Sequence, residues 1–335
     1  MCGIAGVYNP EYLPNESLLI SIGDTMIHRG PDAQQCFINR ELGIIHRRLS
    51  IIDLEGGNQP IFNEDKSLAI ICNGEIYDFI QLRDELIKRG HSFSTESDSE
   101  VILHLYEEKG VNCLEGLNGM FAFAIVHLDS NKIFLARDRF GQKPLFYSHK
   151  EDKFAFASGP SALQKLDWVS NELNFRAIHD YLEFHYLPQP SSIYQDINKL
   201  APGHYAVWEN ETLRIDKYWT ANYQVNHSIS YDEAREELST LLNKSVRRRL
   251  ISDVPLGAFL SGGLDSSIIS ALSQVGTSKQ LSTFSIGFPV KKYDERDYAE
   301  QVAWYLGTDH HFLEVKADSF DTLIRKPHDF SICKK

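Results

Sequence analysis

The chain is predicted to hold two domains, an α+β layered domain followed by an α/β domain built on a parallel sheet. Three observations predict this. Residues 1–212 read as short strands set apart from a few helices, the pattern of an α+β layered domain. Residues 255–315 alternate strand, helix, strand, helix, strand, the signature of a parallel, doubly wound sheet. Between them the polar run TANYQVNHSIS, from Thr220 to Ser230, loses all periodicity. The expected boundaries are therefore 2–212 for the first domain, 213–230 for a linker and 231–335 for the second domain.

In chain order, apolar runs predict strands over 4–8, 44–49, 68–73, 121–126 and 132–137, with turns such as Glu55-Gly56-Gly57-Asn58 between them. Helical periodicity covers 79–89 and 98–109. The second of these opens Ser97-Asp98-Ser99-Glu100, a capping-box pattern with Ser97 as N-cap and Glu100 at the third helical position. Past the linker, 231–250 reads as one amphipathic helix with Ala234, Leu238, Leu241, Leu242 and Val246 on one face. A strand over 255–260, a helix from about Ser266, a strand over 281–288, a helix over 295–306 and a strand over 311–315 follow.

Composition narrows the function classes. At 335 residues, with 42% hydrophobic and 24% charged residues, the chain has enough to bury in two domains. A formal net charge of −12 argues against a general nucleic-acid binder. The most basic run, Arg247-Arg248-Arg249, reads as a solvated helix face. No run approaches the length of a membrane span, and no signal peptide is visible at the N-terminus. Five scattered cysteines (Cys2, Cys36, Cys72, Cys113 and Cys333) contain no CxxC pair and fit reduced thiols in the cytoplasm. The sequons at Asn15, Asn210, Asn226 and Asn243 then have no role.

Two places carry chemistry. The chain opens Met1-Cys2-Gly3-Ile4-Ala5-Gly6. Cys is small enough for Met1 to be removed, which places a thiol and a free α-amino group on one residue. An α-amino group titrates near 8, so it can take the thiol's proton near neutral pH and supply both nucleophile and base. The competing reading of Cys2 is a small buried apolar residue. The second place is Ser261-Gly262-Gly263-Leu264-Asp265-Ser266-Ser267, which follows a strand and opens a helix. Glycine turns, serine hydroxyls and a helix N-terminus make an anion cradle suited to a pyrophosphate. It is neither a Walker A loop nor a dinucleotide fingerprint, since neither G-x-x-x-x-G-K-[ST] nor G-x-G-x-x-G occurs.

These strings resemble a known family. SGGLDSS, preceded by Asp253-Val254-Pro255-Leu256-Gly257-Ala258-Phe259-Leu260, is similar to the pyrophosphate loop of glutamine-hydrolysing asparagine synthetases, of the ATP pyrophosphatase type. MCGIAG resembles the opening of class II glutamine amidotransferase domains, whose mature N-terminal cysteine attacks glutamine. His28-Arg29-Gly30-Pro31-Asp32, Arg48-Leu49-Ser50-Ile51-Ile52-Asp53 and Asn73-Gly74-Glu75-Ile76-Tyr77 match further family strings. So do Ala136-Arg137-Asp138-Arg139-Phe140-Gly141-Gln142-Lys143-Pro144-Leu145-Phe146-Tyr147, Tyr186-Leu187-Pro188 and Lys199-Leu200-Ala201-Pro202-Gly203-His204, which read as structural or linking. One departure is Phe156-Ala157-Ser158-Gly159-Pro160, where the family commonly has an acidic residue after Ala-Ser.

The resemblance implies an N-terminal-nucleophile αββα sandwich followed by an incomplete, Rossmann-like ATP pyrophosphatase domain. It implies Cys2 as nucleophile, with the Asn73 side-chain amide and the Gly74 N–H as oxyanion hole. Arg48, with Leu49, Ser50, Ile51, Ile52, Asn73, Gly74 and Glu75, would hold glutamine, with Arg48 suited to a two-pronged grip on its α-carboxylate. Asp98 would take the α-ammonium. ATP would meet Leu260 and Ile286 on the adenine side and Ser261, Gly262, Gly263, Leu264, Asp265 and Ser266 at the pyrophosphate, Asp265 also reaching Mg²⁺. Asp294-Glu295-Arg296 either shapes that site or caps a helix. His310-His311 reads as packing. The expected partners are glutamine, aspartate and ATP with Mg²⁺, with no organic prosthetic group, no nucleic acid and no membrane. A homodimer is the expected assembly.

The match holds to about Asp321-Thr322-Leu323 and then gives way to a tail lacking the family's aspartate-binding motif and second phosphate-side loop. A frameshift, an early stop or a fragment explains such a tail. The expectation is an ammonia-producing half with a marginal, incomplete synthetase half that makes no asparagine. The alternatives are a related amidotransferase aminating another carboxylate, and a remnant with glutaminase activity at most.

Overall fold

The computed structural model describes residues 1–225 and 228–315. Asn226, Cys333, Asp321-Thr322-Leu323 and the tail after them lie outside the described residues. The chain divides into two compact units, Met1–Asn222 and Tyr223–Lys335.

In the first unit the strands are β1 (Gly3–Tyr8), β2 (Ala33–Asn39), β3 (Leu42–Arg48), β4 (Ile61–Phe62), β5 (Leu68–Ile76), β6 (Gly119–His127), β7 (Ile133–Arg137), β8 (Phe146–Lys150), β9 (Lys153–Ala157), β10 (Asn198–Lys199), β11 (His204–Glu209) and β12 (Thr212–Lys217). They form two six-stranded sheets, ordered β10-β8-β9-β1-β3-β2 and β12-β11-β7-β6-β5-β4. The helices are α1 (Glu16–Asp24), α2 (Phe79–Lys88), α3 (Glu100–Lys109), α4 (Cys113–Gly116), α5 (Pro160–Leu163) and α6 (Phe175–Phe184).

Strand alternation builds the layers. Ile4, Leu42 and Ile44 from the first sheet meet Ala69, Ile71, Ala122, Ala124, Val126, Ile133 and Leu135 from the second in one core cluster. The opposite residues of the first sheet, Ala5, Val7, Ile45, Ala155 and Ala157, pack on Leu19 and Ile22 of α1 and on Ala162 and Leu163 of α5. Helix α3, buried from Glu100 to Tyr106, lies against β5 of the second sheet. The layering is αββα, as the family resemblance implies. Gly6 belongs to this packing, because a Cβ there would sit 2.4 Å from the Phe156 ring.

Three expectations change. The segment 213–230 does not begin as a linker: Thr212–Lys217 pairs with β11 along its whole length, and the compact unit runs to Asn222. This edge strand is mostly exposed on both sides, so it lacks the apolar alternation that marks a strand in sequence. The capping box at Ser97 does not form either, since α3 starts at Glu100 with Ser99 as N-cap. Glu100 is instead fully buried and accepts from the backbone N–H groups of Ser94 and Thr95, holding the incoming loop. A third difference is a capping box at Ser230–Glu233, from a Ser-x-x-Glu pattern not included in the expectations above.

The second unit contains α7 (Tyr231–Arg248), β13 (Gly257–Phe259), α8 (Leu264–Gly276), β14 (Ser282–Gly287), α9 (Arg296–Leu306) and β15 (Asp309–Glu314). The three strands are parallel and ordered β13-β14-β15. Described strands thus stand in chain order, without the reversal of order that makes a sheet doubly wound. Leu260, Ala299 and Ala303 form its core cluster. Of the apolar face expected on α7 only Val246 is buried, and Leu238 and Leu241 are exposed.

Candidate active site

Ile4, His46, Arg48, Ile71 and Asn73 share the strand parity that faces the gap between the sheets, and Cys2, just before β1, continues that of Ile4. Ile4 and Ile71 fill that gap, and the polar members follow where the apolar filling ends. His46 Nε2 meets the Cys72 carbonyl at 3.2 Å, joining β3 to β5 across the layers. Burial drives the His46 pKa down to about 3, so this imidazole is neutral and acts as a strut.

Cys2 Sγ accepts from the Leu49 N–H at 3.4 Å and lies 3.7 Å from the Leu49 carbonyl. Arg29 Nε donates to the Cys2 carbonyl at 3.2 Å. The 28–32 string keeps this contact in place. Asp32 N donates to the Arg48 carbonyl at 3.0 Å, and Asp32 Oδ2 accepts from Ser50 N at 2.9 Å. A Cβ on Gly30 would fall 2.4 Å from the Arg47 backbone, so only glycine lets the loop lie this close to β3. Ser158, at the family departure, accepts from the Ile4 N–H at 3.0 Å and steadies the start of β1.

Burial pushes the Cys2 thiol pKa up, against the Leu49 hydrogen bond that lowers it. The thiol therefore needs a base. Burial also lowers the α-amino pKa at Met1, and the same surroundings would act on the amine of Cys2 once Met1 is gone. The Met1 side chain is exposed.

Asn73 is 1% exposed, and neither its Oδ1 nor its Nδ2 has a hydrogen-bond partner. A buried amide without partners costs free energy, of the order of 1–3 kcal/mol per group. The ladder also settles where Gly74 points. Phe121, opposite Gly74, gives its N–H to Asp138 Oδ2 and its carbonyl to Asp138 N. Gly74 and Phe121 are therefore a non-hydrogen-bonded pair, and the Gly74 N–H points to the other edge of β5. On that edge Cys72 N donates to Gln59 Oε1 at 2.6 Å and Ile76 N to Asp98 Oδ2 at 2.7 Å. The Gly74 N–H stands between them. A side chain at Gly74 would meet the Met120 carbonyl at 2.5 Å.

Asp98 is 6% exposed, and burial raises its pKa to about 6 against hydrogen bonds from Ile76, its own N–H and Ser99 that lower it. Its charge is felt by the Cys2 thiol. Arg48 differs from expectation in its partners. Its Nη1 donates to the Leu54 carbonyl and Asn58 Oδ1, and its Nη2 to the carbonyls of Ile52 and Asp53. Four of the five guanidinium N–H groups thus shape the 49–58 loop, and a two-pronged grip on a carboxylate requires some of them to let go.

Sequence reasoning missed Lys143. It is 6% exposed, burial lowers its pKa, and it interacts with Glu75 and the Cys2 thiol. Its loop is built by Arg137, which donates to the carbonyls of Lys143, Gly141 and Leu200, and by Asp138, which accepts from the N–H groups of Phe140, Gln142 and Lys143. Nothing in the pattern of residues 136–147 separates a buried lysine from a solvated one.

In the second unit the SGGLDSS loop leaves the carboxyl end of β13. Gly262 has φ +80°, and a Cβ there would meet the Tyr298 and Ala299 backbone of α9 at 2.6 and 2.7 Å. Ser266 Oγ accepts from Ser261 N at 3.2 Å, and Ser267 Oγ donates to the Gly263 carbonyl at 2.7 Å. A cavity of about 330 Å³ lies against the loop, lined by Phe259, Leu260, Ser261, Ser266, Phe284, Ser285, Ile286, Phe288 and Glu295. It gathers Leu260, Ile286, Ser261 and Ser266 as expected, with an apolar wall from both strands. Asp265 is exposed in the first turn of α8 and outside that lining, whereas Glu295 brings a carboxylate into it. Asp294 is paired with Arg296 at 2.7 Å, and Arg296 with Glu314 at 3.0 Å. A hard cation bound to phosphates takes one or two carboxylates, and Asp265 and Glu295 are of the right chemistry for Mg²⁺.

Comparison with known proteins agrees with both units. The model of a glutamine amidotransferase domain matches residues 1–219, and that of asparagine synthase matches 237–330. Asparagine synthetase [glutamine-hydrolyzing] 1 of Bacillus subtilis is 36% identical over 92% of this chain and 49% of its own length. A Methanocaldococcus jannaschii protein provisionally named asparagine synthetase [glutamine-hydrolyzing] 2 is 36% identical over 97% of this chain and 67% of its own length. A solved structure titled as the allosteric regulatory enzyme of purine biosynthesis shares the fold at a TM-score of 0.50 and 16% identity, covering 93% of this chain and 80% of that one. The chain spans about half the length of the Bacillus subtilis relative. By these matches, on top of the layered fold and the Cys2 site, the chain belongs to the family of glutamine-hydrolysing asparagine synthetases.

Proposed function

We propose that this chain hydrolyses glutamine at Cys2 and, in the family's reaction, delivers the ammonia to aspartate activated by ATP. The observation that carries the first half is the buried, partnerless Asn73 amide, on a strand position facing the same gap as a thiol that burial keeps protonated. Once Met1 is removed, the Cys2 amine takes the thiol proton and sulfur attacks the carboxamide carbon. The oxygen that becomes negative is met by Asn73 Nδ2 and the Gly74 N–H, each worth roughly 3 kcal/mol in the transition state. Ammonia leaves with a proton from the amine, and water cleaves the glutamyl thioester. Asp98 holds the substrate ammonium, Arg48 and the 49–52 backbone its carboxylate, and Glu75 with Lys143 closes the polar end of the site.

For the second half, the Ser261–Ser266 loop seats the pyrophosphate and Leu260 and Ile286 the adenine, and Glu295 in the cavity with Asp265 beside it would hold a Mg²⁺. Bound there, the ion would supply positive charge to offset that of the phosphates. This reading takes the cytoplasm as the compartment and a homodimer as the assembly. Among the described residues no helix is long and apolar enough to cross a membrane.

The test is direct. Purified protein should lack Met1 by intact mass, release glutamate from glutamine, and be labelled at Cys2 alone by a glutamine-analogue electrophile. With ATP and Mg²⁺ added, nucleotide should bind the second unit in calorimetry, and Ser266→Ala should weaken that binding. Active protein that keeps Met1 would overturn the amine-base mechanism.

A further inference from the structure

The turn after β4, the segment after α2 and one face of α3 bring together two imidazoles and two carboxylates that have no part in the site above. They are Glu64, His91, His104 and Glu107, and one ligand atom from each lies within 4.8 Å of all the others. His104 Nδ1 stands 2.7 Å from Glu107 Oε2 and 3.6 Å from Glu64 Oε2. His91 Nδ1 stands 3.5 Å from Glu64 Oε1 and 3.7 Å from Glu107 Oε2. Ligands about 2.0–2.1 Å from a tetrahedral ion lie about 3.3–3.4 Å from one another. The widest separation, up to 4.8 Å, has to close and the 2.7 Å His104–Glu107 contact has to open for one ion to be held by all four, which side-chain adjustment alone can do.

The supporting contacts aim them there. Glu107 Oε1 accepts from Asn63 Nδ2 at 2.8 Å, while Oε2 shares a hydrogen bond with His104 Nδ1 at 2.7 Å that an ion between them would replace. Glu64 Oε1 accepts from the Ser92 N–H at 2.9 Å. Behind each imidazole stands a further carboxylate. Glu100 Oε1 is 3.7 Å from His104 Nε2, a fully buried nitrogen with no hydrogen-bond partner, and Glu108 Oε1 is 3.5 Å from His91 Nε2. A metal-bound histidine usually carries such a carboxylate behind its other nitrogen. Charge points the same way. Four carboxylates face two imidazoles, and the fixed cation paired with this group among the described residues is Arg89, at 2.6 Å from Glu108. Phe93 packs on the His104 ring at 4.6 Å and limits water on that side.

We propose that Glu64, His91, His104 and Glu107 form a structural site for one divalent first-row metal, with zinc as the ion their chemistry favours. Two imidazoles exclude the all-oxygen shells that calcium and magnesium prefer, and four protein ligands close a tetrahedral sphere. The ion would tie the β4–β5 turn to α3 and to the loop that carries Asp98.

The full chain, stripped with a chelator and carrying Cys2→Ala to remove the active-site thiol, is titrated with Zn²⁺ alone against a chromophoric chelator. Co²⁺ alone is then read by visible absorption. One equivalent of zinc should bind and raise the melting temperature. Cobalt should give the intense spectrum of a tetrahedral nitrogen and oxygen site, without a thiolate charge-transfer band. His91→Ala and Glu64→Gln, both at partly exposed positions, should stay folded by circular dichroism and lose the equivalent. Glu108→Gln should weaken binding by roughly 10–100-fold. Failure to bind an equivalent, binding that survives His91→Ala and Glu64→Gln, or a thiolate band on cobalt would overturn the proposal.

Discussion

Asp98 keeps a carboxylate where water is scarce, and the free protein bears the cost. Its pKa of about 6 stands above the ordinary 3.8, so between these values the folded state holds a proton that the unfolded state has released. Stability therefore falls as pH rises through that window, and above pH 6 the full penalty, about 3 kcal/mol, is present. Asp98→Asn keeps an acceptor for the Ile76 N–H and removes the charge. It should stabilise the protein by about 2–3 kcal/mol in denaturant melts at pH 7 and shrink toward no effect below pH 4. The same change should cost most of the glutamine affinity, because the substrate ammonium loses its counter-charge. In the unaltered enzyme the KM for glutamine should rise as pH drops below about 6, while that of Asp98→Asn stays flat. Asn73 behaves differently. Its partnerless amide is a cost in the free protein, offset in Asn73→Ala by the small cavity left behind, so the melting temperature should stay close to the parent's. Turnover should fall by roughly 10²–10³ with little change in KM, since the donor acts on developing charge. A stopped assay at saturating and limiting glutamine separates the two variants.

At the level of elements, the loop between β13 and α8 depends on one glycine more than on its neighbour. Gly262 sits at φ +80° against the α9 backbone, and a methyl there must push α9 away. Gly263→Ala meets only Ser261 Oγ at 3.3 Å. Gly262→Ala should therefore destabilise the second unit by about 2 kcal/mol or more and abolish protection by ATP, whereas Gly263→Ala should cost about 1 kcal/mol or less. Limited proteolysis with and without ATP would tell these apart, and equal sensitivity of the two variants would refute the account. Strand β5 is the corresponding element of the first unit. One edge of it supplies the N–H groups that meet Gln59 and Asp98, with Gly74 between, because pairing with β6 uses up only alternate residues.

For the molecule as a whole, every residue assigned to glutamine chemistry lies within Met1–Asn222, and every residue assigned to ATP lies within the second unit. A chain ending at Asn222 should therefore retain glutaminase activity within about tenfold of the full chain. In calorimetry of the full chain, ATP with Mg²⁺ should raise the melting of one transition, and a glutamine analogue bound at Cys2 should raise the other. A single transition moved equally by both ligands would refute this division.

The sequence by itself determined the family, the strand-helix order of the second unit and which residues were proposed for the chemistry. Cys2, Asn73, Gly74, Asp98 and SGGLDSS stand in short strings whose residue types suit the roles proposed for them, and such constraints are local. It also placed the most buried strands of the first unit (β1, β3, β5, β6 and β7) and the elements of the second, since alternation and helical periodicity follow from burial on one face, and passed over exposed or short elements such as β2, β12 and α6. Tertiary structure decided what no local pattern encodes. Lys143 reads like any solvated lysine until Arg137 and Asp138 fold its loop inward. Glu100 reads like a helix cap until burial turns it into an anchor for the 94–95 backbone. Arg48 reads as a free grip until the 52–58 carbonyls occupy it. Glu64, His91, His104 and Glu107 span a turn, a loop and a helix, and only the packing of those elements brings their ligand atoms together. In each case the deciding quantity is the partner, and partners distant in sequence become visible only when the chain is folded.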